Sequence, residues 1–128
     1  MFDPTSAYSG FSVDDIDAAR AFYRDTLGLE VVDDEMGFLE LLLESGGHVL
    51  VYAKPNHEPA SFTILNFPVA DIESAVDDLN ARGVVTKIYD DAEFPTDSRG
   101  IMREGGPLIA WFRDPAGNVL SVLQAEEQ

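Results

Sequence analysis

Apolar and polar residues follow two different periods along the chain, one typical of a strand and one typical of a helix. The same succession of strand-like and helix-like stretches occurs in both halves of the chain. Alternating stretches, typical of half-buried strands, cover 7–13, 29–33, 37–44 and 48–54 in the first half and 61–69, 84–89, 107–113 and 118–124 in the second. After the first stretch of each half, apolar residues recur at helical spacing. Asp15 and Asp71 are candidate N-caps of these two helices, and Gly28 and Gly83 end them. The pattern predicts the element order βαβββ, twice.

The two halves also match each other residue by residue. Residues 11–19, FSVDDIDAA, match residues 67–75, FPVADIESA, at an offset of 56. Residues 47–51, GHVLV, match residues 117–121, GNVLS, at an offset of 70. Two modules built alike explain both matches.

The repeats predict a single domain, residues 1–128, made of modules 5–56 and 60–126. The second offset is larger because the second half contains a longer polar segment, residues 90–106. A loop of this length is typical of a lid or rim over a site, and equally of a surface loop without a role. Both interpretations stay open at this point.

Composition limits the classes of partner. The chain has 24 acidic and 8 basic residues and a formal charge of −16, which repels nucleic acid and anionic membranes. This charge is typical of a solvated acidic surface, and it would also attract a cationic small molecule. No apolar run reaches the roughly 20 residues that cross a bilayer, and the first residues do not resemble a signal peptide. With no cysteine, the chain is expected to be cytoplasmic and without disulfides.

Three segments carry a resemblance to a known family. FSVDDIDAARAFYRDTLGLEV, ADIESAVDDLNARGV and FRDPAGNVLSVLQ together resemble the vicinal oxygen chelate superfamily, which includes glyoxalases, bleomycin resistance proteins and extradiol dioxygenases. The resemblance implies an α+β fold in which two βαβββ modules, each with a mixed sheet, form an open cleft. It also implies a homodimer.

The resemblance further implies where metal-using relatives hold their divalent ion. Each module contributes one ligand, usually histidine, from its first strand and another, usually glutamate, from its last strand. The corresponding positions here are Tyr8, Val51, Ile64 and Ser121. Because none of them is a histidine or a carboxylate, we expect no metal and no other cofactor. His48 and His57 lie elsewhere in the chain and are interpreted as ordinary surface residues.

The residues at and near these positions would give the expected cleft apolar walls with a few polar groups. The candidate ligand-binding residues are Tyr8, Val51, Ile64, Asn66, Trp111 and Ser121. The alternative is that they only fill the space between the modules. Trp111 would stack on a planar or cationic ligand if it faces the cleft, or belong to the core if it does not.

Three functions stay open. The first is a metal-independent small-molecule-binding protein that sequesters a cationic or amphipathic compound, as bleomycin resistance proteins do. The second is a glyoxalase-like or dioxygenase-like lyase or oxidoreductase with an atypical or absent metal site, for which no catalytic residue is assigned. The third is a module that docks a protein partner. The favoured partner is a small-molecule ligand, with neither nucleic acid nor a membrane involved.

Overall fold

The computed structural model describes residues 2–90, 92 and 94–124. The chain divides into two compact units, Met1–Pro59 and Ala60–Gln128. Each unit contains a four-stranded mixed sheet and a helix that follows its first strand. This arrangement confirms the α+β class and the two βαβββ modules, while the open cleft between them stays a prediction. None of the described helices is long and apolar enough to span a bilayer.

The first unit begins with a short 3-10 helix, and its helix α1 continues as a π-helical turn. Its elements are the 3-10 helix Pro4–Ser6, β1 Ser9–Val13, α1 Ile16–Arg20, the π-helical turn Ala21–Thr26, β2 Glu30–Asp33, β3 Leu39–Leu42 and β4 His48–Ala53. The strand order is β1-β4-β3-β2, with β1 parallel to β4 and the other pairs antiparallel. Asp15 caps α1 as predicted, because its Oδ1 accepts from the backbone N–H groups of Asp17 and Ala18.

The second unit has the equivalent order of strands. Its elements are β5 Thr63–Val69, α2 Ile72–Ala81, β6 Ile101–Met102, β7 Leu108–Arg113 and β8 Val119–Gln124. The sheet order is β5-β8-β7-β6, and again only the pair of first and last strands is parallel. Asp71 caps α2 as predicted, accepting from the N–H groups of Glu73 and Ser74.

One predicted strand is wrong. Residues 84–86 alternate in burial, but residues 84–89 form no strand, and β6 pairs with β7 in place of the predicted one. Side-chain hydrogen bonds tie this segment to its neighbours instead: Nδ2 of Asn80 donates to the carbonyl of Val84, and the hydroxyl of Thr86 donates to the carbonyl of Arg99. The long polar segment therefore contains a strand of the sheet, because β6 lies within residues 90–106.

The turn before β6 is organised by one carboxylate. Asp97 accepts from the backbone N–H groups of Arg99 and Ile101 and from Nε of Arg103. Burial alone would raise the pKa of Asp97, but these three hydrogen bonds outweigh it and hold the pKa below the ordinary 3.8. The ionised carboxylate therefore stabilises this turn.

This turn should make stability depend on pH. A lowered pKa in the folded protein gives stability that is present above the unfolded pKa and is lost as pH falls through the folded one. Asp97→Asn keeps an acceptor oxygen and removes the charge. We expect it to melt below wild type at pH 7, with a difference in Tm that shrinks as the pH is lowered below about 4. A difference that stays constant across this range would contradict the assignment.

Candidate functional site

Three of the candidate binding residues form one row across the second sheet. Asn66 of β5 is in register with Ser121 of β8, and Ser121 is in register with Trp111 of β7. Residues in register point to the same face of a sheet. Ser121 is fully buried, and its Oγ donates to Oδ1 of Asn66 at 2.5 Å. Because the amide oxygen is used in this way, the exposed amide nitrogen of Asn66 remains as a hydrogen-bond donor.

Helix α2 is on the other side of this sheet. The residues that alternate with the row, Phe112 and Leu120, are fully buried, as are Ile72 and Val76 of α2. These four apolar side chains form the core between helix and sheet. Trp111 therefore lies on the face away from α2. We call this surface the Trp111 face; it includes Asn66, Ile109, Trp111, Arg113, Val119, Ser121 and Leu123.

Two further aromatic rings cover part of the indole. Phe94 is stacked on Trp111 with a centroid distance of 5.2 Å, and Tyr89 meets it edge-on at 5.3 Å. Trp111 is only 9% exposed as a result, whereas Phe94 is 38% exposed. The chain between β-strands 5 and 6 thus adds an aromatic border to the Trp111 face. Sequence reasoning missed both rings, because they lie on irregular backbone whose direction no periodicity predicts.

Ile64 lies beside this row rather than in it. The pairing of β5 with β8 shifts between Thr63 and Leu65, so Ile64 has no partner in the ladder. Such a bulge leaves one extra residue on the strand and changes the direction of its neighbours. Ile64 is half-buried and lies two residues before Asn66 on the same strand.

The first unit places Val51 differently from the prediction. Val51 is fully buried and is in register with Phe11 and Leu39, on the face that forms the core. Gly10, the counterpart of Asn66, is in register with Leu50. The counterpart of Ser121 is therefore Leu50, and the offset of 70 is wrong by one residue at this strand. A shift of one residue moves a side chain to the opposite face of the sheet.

Tyr8 and His48 of the first unit lie together. Tyr8 is 58% exposed and precedes β1, and its ring centroid is 4.5 Å from that of His48. His57 is half-buried, with Nδ1 2.7 Å from Oγ of Ser12. The turn from Lys54 to His57 holds this ring in place, because the N–H of His57 donates to the carbonyl of Lys54. Both histidines therefore have specific contacts that the sequence interpretation did not foresee.

The comparison with known families agrees with this architecture. The sequence model of one protein family, the glyoxalase/bleomycin resistance protein/dioxygenase superfamily, matches residues 6–122 of this chain. The chain belongs to this superfamily. No curated protein sequence matches the chain.

Several solved structures share the fold of this chain. The chain is similar to TnmS3, an antibiotic binding protein from Streptomyces sp. CB03234, with 23% identity, a TM-score of 0.71 and coverage of 98% of this chain and 100% of that one. It is also similar to a superfamily member from Sphaerobacter thermophilus DSM 20745, with 25% identity, a TM-score of 0.69 and coverage of 92% and 95%. A glyoxalase/dioxygenase from Nostoc punctiforme is 15% identical, with a TM-score of 0.69 and coverage of 98% and 94%.

The donor set of the superfamily's metal-using members is not present at the corresponding positions. In the second unit these positions hold Ile64, which has no donor atom, and Ser121, whose hydroxyl is already bonded to Asn66. In the first unit they hold Tyr8 and Leu50. Within the described ranges, no three histidine, aspartate or glutamate side chains come close enough to hold an ion. A phenol and a serine hydroxyl are poor ligands beside imidazole or carboxylate, so these residues do not fit the superfamily's divalent metal.

Proposed function

We propose that this protein binds an amphipathic small molecule with a planar aromatic part on the Trp111 face, without a metal. The observation that carries the proposal is the row of Asn66, Ser121 and Trp111 on the sheet face opposite α2. A fully buried hydroxyl bonded to an exposed amide, next to an indole, gives a hydrogen-bonding group beside an aromatic surface. Apolar walls with a few placed polar groups are typical of small-molecule sites.

The neighbouring side chains support an aromatic ligand. Half-buried Ile109 and Leu123 are in register with each other and extend the apolar surface along the strands. Phe94 extends it outward with a partly exposed ring. Aromatic rings prefer offset-stacked or edge-to-face neighbours, which add stabilisation beyond the area they bury. Together these groups favour a flat, partly apolar ligand over a small polar one.

The fold comparison supports binding as the role. TnmS3 is an antibiotic binding protein on the same fold. The residues at the superfamily's metal positions offer at most a phenol and a serine hydroxyl, which are poor metal ligands, and this favours binding over metal-assisted catalysis. The net charge of −16 supports a small molecule rather than nucleic acid as the partner.

A titration followed at the single tryptophan tests the proposal. The chain has one Trp, so its indole N–H gives one resonance in an isotope-labelled sample. Naphthalene methanol, naphthoate and naphthylmethylammonium serve as planar probes that are neutral, anionic and cationic. We expect at least one of them to shift this resonance saturably, and chelator treatment to leave the shift unchanged.

Two variants measured by calorimetry locate the site. Trp111→Ala should weaken binding of the best probe by roughly tenfold, because the aromatic contact is lost. Tyr52→Ala is the matched control, since Tyr52 is a half-buried aromatic of the first unit that packs edge-on against Phe38. If no probe shifts the indole resonance, or if both variants weaken binding equally, the proposal is wrong.

A further inference from the structure

We infer that the ligand of the Trp111 face carries a carboxylate or an equivalent anionic group, and that Arg113 binds it. This inference rests on the proposed function, and it names the class of ligand: an aromatic acid. It reverses the cationic preference that the net charge alone suggests. Three observations support the inference. They are the ion pairs that the other arginines form, the register of β7, and the hydrogen-bond donors at the two ends of the face.

Arg113 differs from the other arginines of the chain. The other five each form an ion pair with an aspartate or glutamate, at distances from 2.6 to 3.1 Å. In the part of the chain that the structure describes, the guanidinium of Arg113 contacts no carboxylate, and its side chain is exposed. Acidic residues outnumber basic ones threefold, 24 to 8, so a carboxylate partner would be easy to supply. An arginine left without one has its full set of donors available to a ligand.

The register places Arg113 on the binding face. Arg113 follows Trp111 by two residues in β7, so both side chains point to the same face, about 7 Å apart along the strand. Phe112 between them is buried on the α2 side. A ligand ring against Phe94 and the small exposed part of the indole would therefore bring an attached carboxylate towards the guanidinium. Arginine binds planar carboxylates with two parallel hydrogen bonds.

The far end of the face also offers a donor. Asn66 lies two strands across from Trp111, which is about 10 Å. Its amide oxygen accepts from Ser121, and its amide nitrogen has no acceptor among the residues that the structure describes. Both ends of the face thus present donors. A flat ligand with acceptor groups at its ends, the charged one at Arg113, is complementary to this arrangement.

The net charge of the protein favours cations, which is the opposite of the preference inferred for the Trp111 face. A chain with a net charge of −16 attracts cations and repels anions non-specifically. A preference for an anionic probe would therefore be a local property of the face. Salt screens the long-range repulsion more than a direct contact, so the preference should persist at high ionic strength.

The test compares the same three naphthalene probes on wild type, Arg113→Gln and Arg24→Gln. Arg24 is an exposed arginine of the first unit, paired with Asp25, so its replacement removes the same charge elsewhere. We expect wild type to bind naphthoate most tightly. Arg113→Gln should weaken naphthoate by about tenfold and change naphthalene methanol by less than about twofold, because only a charge-assisted bond is lost. Arg24→Gln should leave both affinities near those of wild type.

The outcomes separate the two proposals. If naphthalene methanol binds and naphthoate binds no better, or if Arg113→Gln weakens every probe equally, the inference about the ligand is wrong and the proposed function stands. The same holds if Arg24→Gln weakens naphthoate as much as Arg113→Gln does. If no probe shifts the indole resonance of wild type, both proposals are wrong.

Discussion

Gly100→Ala is expected to lower the free energy of unfolding by roughly 3 kcal/mol. Gly100 has a φ of +90°, a conformation that residues with a Cβ rarely adopt. A Cβ at this position would overlap the carbonyl oxygen of Thr86 and lie 2.6 Å from its carbonyl carbon. The obstacle is backbone, so no side-chain rotation relieves it. Urea denaturation of the two proteins measures the difference.

Gly83→Ala is the matched control for this experiment. Gly83 lies in the same unit with a φ of +87°, and a Cβ there would meet no atom within 4 Å. Gly83→Ala therefore measures only the cost of placing a residue with a Cβ at a positive φ, which is about 1 kcal/mol. The excess loss in Gly100→Ala measures the close approach of Gly100 to Thr86. Equal losses in the two variants would show that the backbone relaxes at no cost, contrary to our expectation.

Asp114→Ala is expected to lower the free energy of unfolding by about 3 kcal/mol, because it removes the acceptor of three hydrogen bonds. Asp114 is 5% exposed and accepts from the backbone N–H groups of Ala116 and Asn118 and from Nδ2 of Asn118. Asn118 is itself 2% exposed, so its donors would be left in a buried place. Thermal and urea unfolding would both report the loss.

The first unit supplies a comparison for Asp114. Asp34 begins a turn of the same backbone pattern, in which Asp34 N–H donates to the carbonyl of Phe38 and Gly37 N–H donates to the carbonyl of Asp34. Its side chain accepts from Met36 N–H, a less buried group. Asp34→Ala should therefore cost about 1 kcal/mol. If Asp34→Ala and Asp114→Ala lower the free energy of unfolding by similar amounts, burial of the turn at Asp114 adds nothing to its stability.

Local chemistry made much of the fold predictable. The caps Asp15 and Asp71 bond the N–H groups two and three residues further on, so a short stretch of sequence contains the whole interaction. Strands β4, β7 and β8 follow from alternation and turn residues. The strand expected at 84–89 failed because the hydroxyl of Thr86 bonds a carbonyl 13 residues away, a contact that no local pattern contains.

Part of the row on the second sheet was predictable from the sequence. The alternation of β5 and β8 placed Asn66 and Ser121 on one face, and the structure joins them by a hydrogen bond. Val51 was misplaced because the sequence match at an offset of 70 does not follow the strand pairing, in which Val51 is the partner of Phe11 as Val122 is of Phe67. The position of Phe94 over Trp111 depends on an irregular segment, whose path is decided by tertiary packing.

The parallel pairs of first and last strands have a consequence for how the protein folds. Strand β8 is central in its sheet, paired with β5 on one side and with β7 on the other. The second sheet therefore cannot form until the last strand has been synthesised, and its parallel pair closes a loop of more than 50 residues. Contacts so distant in sequence slow folding. The first unit contains all its strands by residue 53, so it can fold first, while the second half is still emerging from the ribosome.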